Sequence, residues 1–407
     1  MKIIELKRPL AITMWDSSWL RRRYAGGGFE SFDRALDELK ERGYNAVRID
    51  AFPHMIADAP DGSNAESFLD VPGVSWHKYG FAQWGNQWTV YIHPRRDIVE
   101  FIKKAEQRGI CVALSTWLKP TWEHRNDYLE GPESLIRIWD ETLCYLRENG
   151  CIDNIVYVDV HNEIPWGACN TWLYNRLAYS GRTEEGEKRQ KAFYRNYFNS
   201  VLHELKARWP MLSFTASLTQ DVFSAEMAEA DLSEFDLLDV HFWAEYAPVD
   251  FLKDTGYREH ITSFGNPGRM YLDDGGLGYN GAGRRVPGDF YFEKTNEKIH
   301  EAWTRSRGAC EEWLESMIES VASAGRKYGI PVGNTEGWGS VIWLEHPMLQ
   351  WDFIKDAGMI AAKLAARHGY AFTCQSNFCE PQYLRLWRDT EYHRQITDVI
   401  RNGNITY

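Results

Sequence analysis

One arrangement of polar and apolar positions recurs along the chain. An amphipathic stretch ends in charged residues, a glycine follows, and a short apolar run comes next. The instances are KERG-YNAVRID at Gly43, EQRG-ICVALST at Gly109, RENG-CIDNIVYVDV at Gly150, RKYG-IPVGNTE at Gly329 and ARHG-YAFTCQS at Gly369. Glycine just past a helix end allows a left-handed residue, and Lys or Arg in the last turn complements the helix dipole. Apolar runs without strict alternation suit strands buried on both faces. Helix–glycine–strand units in series predict an α/β protein with a parallel sheet.

Eight strands are predicted, at 10–15, 45–51, 110–116, 154–161, 212–218, 236–242, 331–336 and 371–376. Phe32, Leu36 and Leu39 share one face of the first intervening helix. Pro94 and Pro132 open the second and third, where proline costs no hydrogen bond. Further helices are expected over 186–208, 309–328, 351–367 and 390–401, with a weak one over 222–230. Eight strands alternating with helices fit a single (β/α)8 TIM barrel over residues 1–407. A doubly wound sheet is the structural alternative. The connections 52–93 and 243–308 are long for a barrel. Both follow strand ends (strands 2 and 6), so they are expected to wall the face where barrel active sites are built.

Composition narrows the function. The chain has 407 residues, 44% hydrophobic and 26% charged, as a globular protein does. Its 46 basic against 58 acidic residues give a net charge of −12, against a nucleic-acid partner. No stretch reaches the 18 or so apolar residues of a membrane span. Glu5, Lys7 and Arg8 interrupt any signal-like run, and seven scattered cysteines fit reduced thiols, so a cytoplasmic location is expected. The surplus is aromatic: 18 Trp, 21 Tyr and 19 Phe. A large aromatic core or a sugar-stacking cleft would each use them.

Candidate chemistry sits at strand ends. Asp159-Val160-His161-Asn162-Glu163 leaves strand 4, and Gly333-Asn334-Thr335-Glu336-Gly337-Trp338 leaves strand 7. Two acids on separate barrel strands can face each other across the mouth. Glycoside cleavage needs such a pair, one to protonate the leaving oxygen and one to attack the anomeric carbon, about 5–5.5 Å apart in a retaining enzyme.

The ordered set resembles the clan A glycoside hydrolases, which include cellulases, β-mannanases and β-galactosidases. Asn162-Glu163 and Glu336 carry the resemblance, with Arg48 on strand 2 and His241 on strand 6. The opening Trp15-Asp16 is similar to a bacterial cellulase-like group. The resemblance implies a retaining β-glycosidase acting on a small oligosaccharide or glycoside. Glu163 would be the acid/base, with a raised pKa, and Glu336 the nucleophile, kept ionised by Arg48. Asn162 would bind the sugar 2-hydroxyl, His241 would sit near the nucleophile or the sugar, and Asp16 would hold a sugar hydroxyl. Many clan members carry a sugar-platform Trp after strand 8; here Asn377 and Phe378 stand in that region. Trp15, Trp243 or Trp338 would supply the stacking face instead. A non-catalytic sugar-binding barrel and a transglycosylase remain open beside hydrolysis.

Other signals are weaker. Gly276-Leu277-Gly278-Tyr279-Asn280-Gly281 matches G-x-G-x-x-G but lacks a preceding apolar strand. No His-Glu-x-x-His or paired Cys-x-x-Cys occurs, so no metal or other cofactor is expected. Oligomeric state stays open.

Overall fold

The glycines that close the helices do adopt left-handed backbone: φ is 87° at Gly43, 68° at Gly109, 69° at Gly150, 65° at Gly329 and 81° at Gly369. Each delivers a strand into one parallel sheet. The computed structural model describes residues 2–70, 86, 88–119, 122–163, 184–220, 231–257, 277–279, 285–340, 343, 347–376 and 379–407. The strands are β1 (Leu10–Asp16), β2 (Ala46–Asp50), β3 (Cys111–Ser115), β4 (Ile155–Asp159), β5 in two pieces (Phe214–Thr215 and Leu218–Thr219), β6 (Leu238–His241), β7 (Val332–Asn334) and β8 (Phe372–Thr373).

Every neighbouring pair is parallel. The order runs from β1 through β4 to the first piece of β5. The second piece of β5 pairs with β6, then β6 with β7, β7 with β8, and β8 with β1. The break in β5 at Ala216-Ser217 is where one strand changes partners and the ring closes. The fold is the expected (β/α)8 barrel; a doubly wound sheet would leave two edges.

The helices follow the sequence signals with one difference. Phe32–Glu41 buries Phe32, Ala35, Leu36 and Leu39, and the Ser31 side chain caps it by accepting from the Arg34 N–H. Pro94–Glu106 and Pro132–Glu148 begin on their prolines. Glu184–Arg208, Asp352–Arg367 and Thr390–Arg401 lie where expected. The helix expected over 309–328 instead runs from Gly288 to Tyr328. Gly308 in Arg-Ser-Arg-Gly reads like a boundary, but the buried stripe Phe292, Ile299, Trp303, Cys310 and Leu314 runs through it at helical spacing. Part of the long connection 243–308 is therefore helix. The weak helix at 222–230 lies outside the described residues, as do Trp76, Tyr79, Phe81 and Trp84.

The connection after β2 holds a short helix, Pro53–Ile56, and an antiparallel ladder of Phe68–Asp70 with Val90–Ile92. The Leu277–Tyr279 part of the glycine-rich motif pairs antiparallel with Arg285–Pro287, so it is not a strand-to-helix phosphate loop. The barrel interior is tightly filled. The Tyr157 and Phe372 rings lie 5.5 Å apart, and a Cβ at Gly333 would stand 2.3 Å from the Phe372 ring. Only glycine fits there. The six described cysteines are free thiols, and no described helix is long and apolar enough to cross a membrane.

Candidate active site

Backbone strain marks the C-terminal ends of the first four strands. Asp16 (φ 36°), Phe52 (51°), Leu118 (52°) and Glu163 (52°) are left-handed although none is glycine. Each such residue costs about 1–2 kcal/mol and persists only where its surroundings over-determine it. At Glu163 those surroundings are visible. Its N–H donates to Ser217 Oγ at 2.9 Å, and the Asn162 N–H donates to the Thr116 carbonyl at 2.9 Å. The turn after β4 is thus tied to the segments following β3 and splitting β5. Below it, Asp159 accepts from Ser115 Oγ (2.7 Å), the Ser217 N–H (2.8 Å) and Ser217 Oγ (2.9 Å).

Glu163 and Glu336 meet across the mouth. One carboxylate oxygen from each and one ring nitrogen of His241 all lie within 4.8 Å of one another. His241 Nδ1 is 3.1 Å from Glu163 Oε1 and 3.8 Å from Glu336 Oε1. Glu336 is buried; the Glu163 side chain keeps 15% of its surface open to solvent. Arg48 rises from β2 through the centre of the barrel. Its Nη1 donates to Glu336 Oε1 (2.8 Å) and Thr335 Oγ1 (2.9 Å), while Nη2 donates to Ser115 Oγ (3.1 Å) and Asn162 Oδ1. Thr335 Oγ1 also lies 3.2 Å from His241 Nε2 and donates to Asp239 Oδ2 at 2.6 Å. A single hydroxyl therefore joins the guanidinium, the imidazole and a buried carboxylate.

Charge follows from this geometry. Burial alone would depress His241, but Glu336 and Asp239 raise it to about 10, so at neutral pH it is an imidazolium that donates from both nitrogens. Asp239 stays below the ordinary carboxylate value; burial would raise it, and His241 and Arg48 outweigh that. Burial pushes Glu336 up to about 7, and Glu163 adds to the rise against the pull of His241 and Arg48. Arg48 thus favours the ionised form of Glu336, in the direction expected from sequence, while burial acts against it more strongly. Arg48 also interacts with Asp159 and Asp239. Burial likewise lifts Asp159 to about 6. Glu163, His241 and Glu336 could hold a cation by position, though as an imidazolium His241 has no lone pair to offer one.

A family model described as "Cellulase-like: Sugar-binding cellulase-like" matches residues 12–401. The chain belongs to this cellulase-like family. Among solved structures it is similar to a candidate glycoside hydrolase from Parabacteroides distasonis ATCC 8503. That likeness has 30% identity over 98% of this chain and 96% of that one, with a TM-score of 0.78. More distant are PbGH5A, a glycoside hydrolase family 5 enzyme from Prevotella bryantii B14, and the endo-β-1,4-mannanase from Thermotoga petrophila. The first shares 12% identity over 96% of this chain and 99% of that one at TM-score 0.48; the second shares 10% over 99% and 79% at 0.47. No curated protein matches the chain.

Within this cellulase-like barrel the remaining sequence candidates divide. Asn162, Arg48 and His241 join the carboxylate pair. Asp16 lies at the end of β1, ion-paired with Lys119 Nζ at 2.7 Å. Trp15 and Trp338 do not offer a stacking face. Both rings are fully buried, and their indole N–H groups donate to the Cys379 and Cys374 carbonyls. Trp15 packs edge-on against Phe29 and Phe101, and Trp338 against Phe242. Trp243 is buried as well. Asn377 and Phe378 lie outside the described residues. Among the described tryptophans only Trp88 and Trp122 are exposed, so most of the aromatic surplus is core. Sequence reasoning passed over Asp159, Asp239 and Thr335. Asp239 was within reach: it stands two residues before His241, so both side chains face the barrel interior. Thr335 and Ser217 carried no such signal.

Proposed function

We propose that the protein is a retaining β-glycosidase, with residues 1–407 forming one catalytic barrel that acts on a short oligosaccharide or glycoside. The observation that carries the reading is the approach of Glu163 and Glu336 to within 4.8 Å, with His241 between them and Arg48 on Glu336. Inverting enzymes hold their carboxyls about 6.5–9.5 Å apart to admit a water molecule.

Glu336, anchored by Arg48, attacks the anomeric carbon as carboxylate. Glu163, the more open of the two, gives its proton to the departing glycosidic oxygen, and the aglycone leaves as an alcohol. The sugar is then esterified to Glu336. Glu163, now a carboxylate, takes a proton from water; the resulting hydroxide adds to the anomeric carbon and releases Glu336. His241 steadies negative charge on Glu163 through its Nδ1–H. Asn162 Nδ2, buried and without a partner among the described residues, is the donor for the sugar 2-hydroxyl. Burial and the Glu163 charge raise Glu336 to about 7, against the pull of His241 and Arg48.

The test uses aryl β-glycosides with Glu163→Ala and Glu336→Gly in folded protein. Each variant is expected to lose about 10²–10⁴-fold or more in turnover. Azide should restore both, giving the β-glycosyl azide with Glu163→Ala and the α-glycosyl azide with Glu336→Gly. Near-normal hydrolysis by either variant, or the reverse pattern of azides, would sink the assignment.

A further inference from the structure

Behind His241 runs a chain of hydrogen bonds whose direction is fixed by the chemistry of its members. Asp239 and Thr335 are fully buried, so water does not complete the chain for them. Asp239, as a carboxylate, only accepts. Its Oδ1 takes the Thr335 N–H at 3.0 Å and lies 3.5 Å from His241 Nε2. Its Oδ2 takes the Thr335 hydroxyl at 2.6 Å, with the Tyr157 hydroxyl 3.5 Å away. A hydroxyl has one hydrogen, and Asp239 receives it. Thr335 Oγ1 can then only accept from its two other neighbours, Arg48 Nη1 at 2.9 Å and His241 Nε2 at 3.2 Å. A bare Nε2 would face the lone pairs of Oγ1 and of Asp239 Oδ1, so Nε2 carries a hydrogen. The other ring nitrogen, Nδ1, lies 3.1 Å from Glu163 Oε1 and 3.8 Å from Glu336 Oε1. Burial opposes a charge on the ring, but three carboxylates around it hold its second proton, in line with its rise to about 10.

Resting on the glycosidase reading, we infer that Asp239 and Thr335 are positioning residues for the acid/base. They hold His241 Nε2 as a donor, so that the Nδ1–H covers Glu163 Oε1 and the acid proton rides on Oε2. A carboxyl oxygen that accepts a hydrogen bond from Nδ1–H is the carbonyl oxygen of the acid, and the proton sits on its twin. Oε2 is then the oxygen left for the departing glycosidic oxygen. When it gives up the proton, the Nδ1–H already donates to the new carboxylate, and no group has to turn as the charge develops. The arrangement follows the logic of a buried carboxylate that fixes the tautomer of a catalytic imidazole. Here a hydroxyl stands in the chain, and the imidazole serves an acid instead of a nucleophile. In Asp239→Asn the chain reverses. The new amide N–H donates to Thr335 Oγ1, the Thr335 hydrogen turns to Nε2, and His241 becomes neutral with its one proton on Nδ1.

Two measurements test this, and the first needs no turnover. Nitrogen-15 spectra of histidine-labelled protein at pH 7, with the His241 signals identified by their loss in His241→Gln, should show both ring nitrogens protonated. Asp239→Asn should leave Nε2 bare and Nδ1 protonated. The second measurement compares kcat/KM for phenyl and 2,4-dinitrophenyl β-glucosides and β-mannosides, because dinitrophenolate leaves without a proton. On the phenyl glycosides Asp239→Asn should lose about 10²-fold or more, and the near-isosteric Thr335→Val about 10-fold, with Thr335→Ser restoring the rate. On the dinitrophenyl glycosides the losses should be at least 10-fold smaller for Asp239→Asn. A bare nitrogen on His241 in the unmodified protein, or Nε2 still protonated in Asp239→Asn, would overturn the inference. So would equal losses on both leaving groups, which a purely structural role would give. If the spectra agree but the intact protein hydrolyses no glycoside, the chain of donors stands and the glycosidase reading falls.

Discussion

The two ends of the barrel strands use left-handed backbone for opposite purposes. Where helices return to strands, the left-handed residue is glycine, as at Gly43 and Gly150, and the turn carries no side-chain chemistry. Where strands β1 to β4 leave the barrel, the residues are Asp16, Phe52, Leu118 and Glu163. Glycine would be easier at all four. At Asp16 and Glu163 the strained residue carries a carboxylate, and its partners hold the turn in place: Lys119 at Asp16, His241 and Ser217 at Glu163. The N-terminal ends turn without strain, and the C-terminal ends store some, as the proposed site would require.

The comparison can be broken most strongly at the charged centre. Arg48→Met leaves Glu336 and Asp159 buried without their guanidinium. It should destabilise the fold by about 3–5 kcal/mol in denaturant unfolding; a loss below that of a helix-end glycine variant would mean that the centre is not what the strained turns depend on. Titration is the next largest effect. Burial holds Asp159 at about 6 and Asp50 and Glu336 at about 7 in the folded chain, and ion partners hold His241 at about 10. All four are raised, so their stabilisation is complete below the ordinary value of each group and is lost as pH rises through the folded one. The thermal midpoint should therefore fall between pH 5 and pH 10, less steeply in Glu336→Gln; a flat or rising profile would contradict the raised values.

Smaller effects sharpen the contrast between the ends. At Gly43 a Cβ would stand 2.3 Å from Thr397 Oγ1, whereas at Gly150 it would meet open space. Gly150→Ala should cost about 1–2 kcal/mol through backbone strain alone, and Gly43→Ala more, both with unchanged turnover. Equal losses at the two positions would show that packing adds nothing to the glycine requirement. The smallest difference is expected at Glu163. Glu163→Ala and Glu163→Gly both delete the carboxylate, but only glycine relaxes a φ of 52°, so it should be about 1 kcal/mol the more stable.

Much of this was legible along the chain. All eight strands and the helix-closing glycines follow from local patterning, because a buried parallel strand and a helix end each leave a short-range mark. Glu163 and Glu336 were visible as acids at strand ends. The misreadings have a common cause. Trp15 and Trp338 stand at strand ends too, yet their rings turn into the core, and which way an indole turns depends on neighbours distant in sequence. Gly308 looks like a helix boundary, and only the buried stripe on both sides of it carries the helix through.

By itself, then, the sequence determined the order of elements and the identity of the two acids, since both are written in local runs of residues. The tertiary structure alone decided that those acids come within 4.8 Å, that Thr335 links Arg48, His241 and Asp239, and that Lys119 pairs with Asp16. Those relations join residues far apart in the chain. They exist because closing the ring at β5 brings the ends of all eight strands to one rim, where burial and shared partners set the charge on each group.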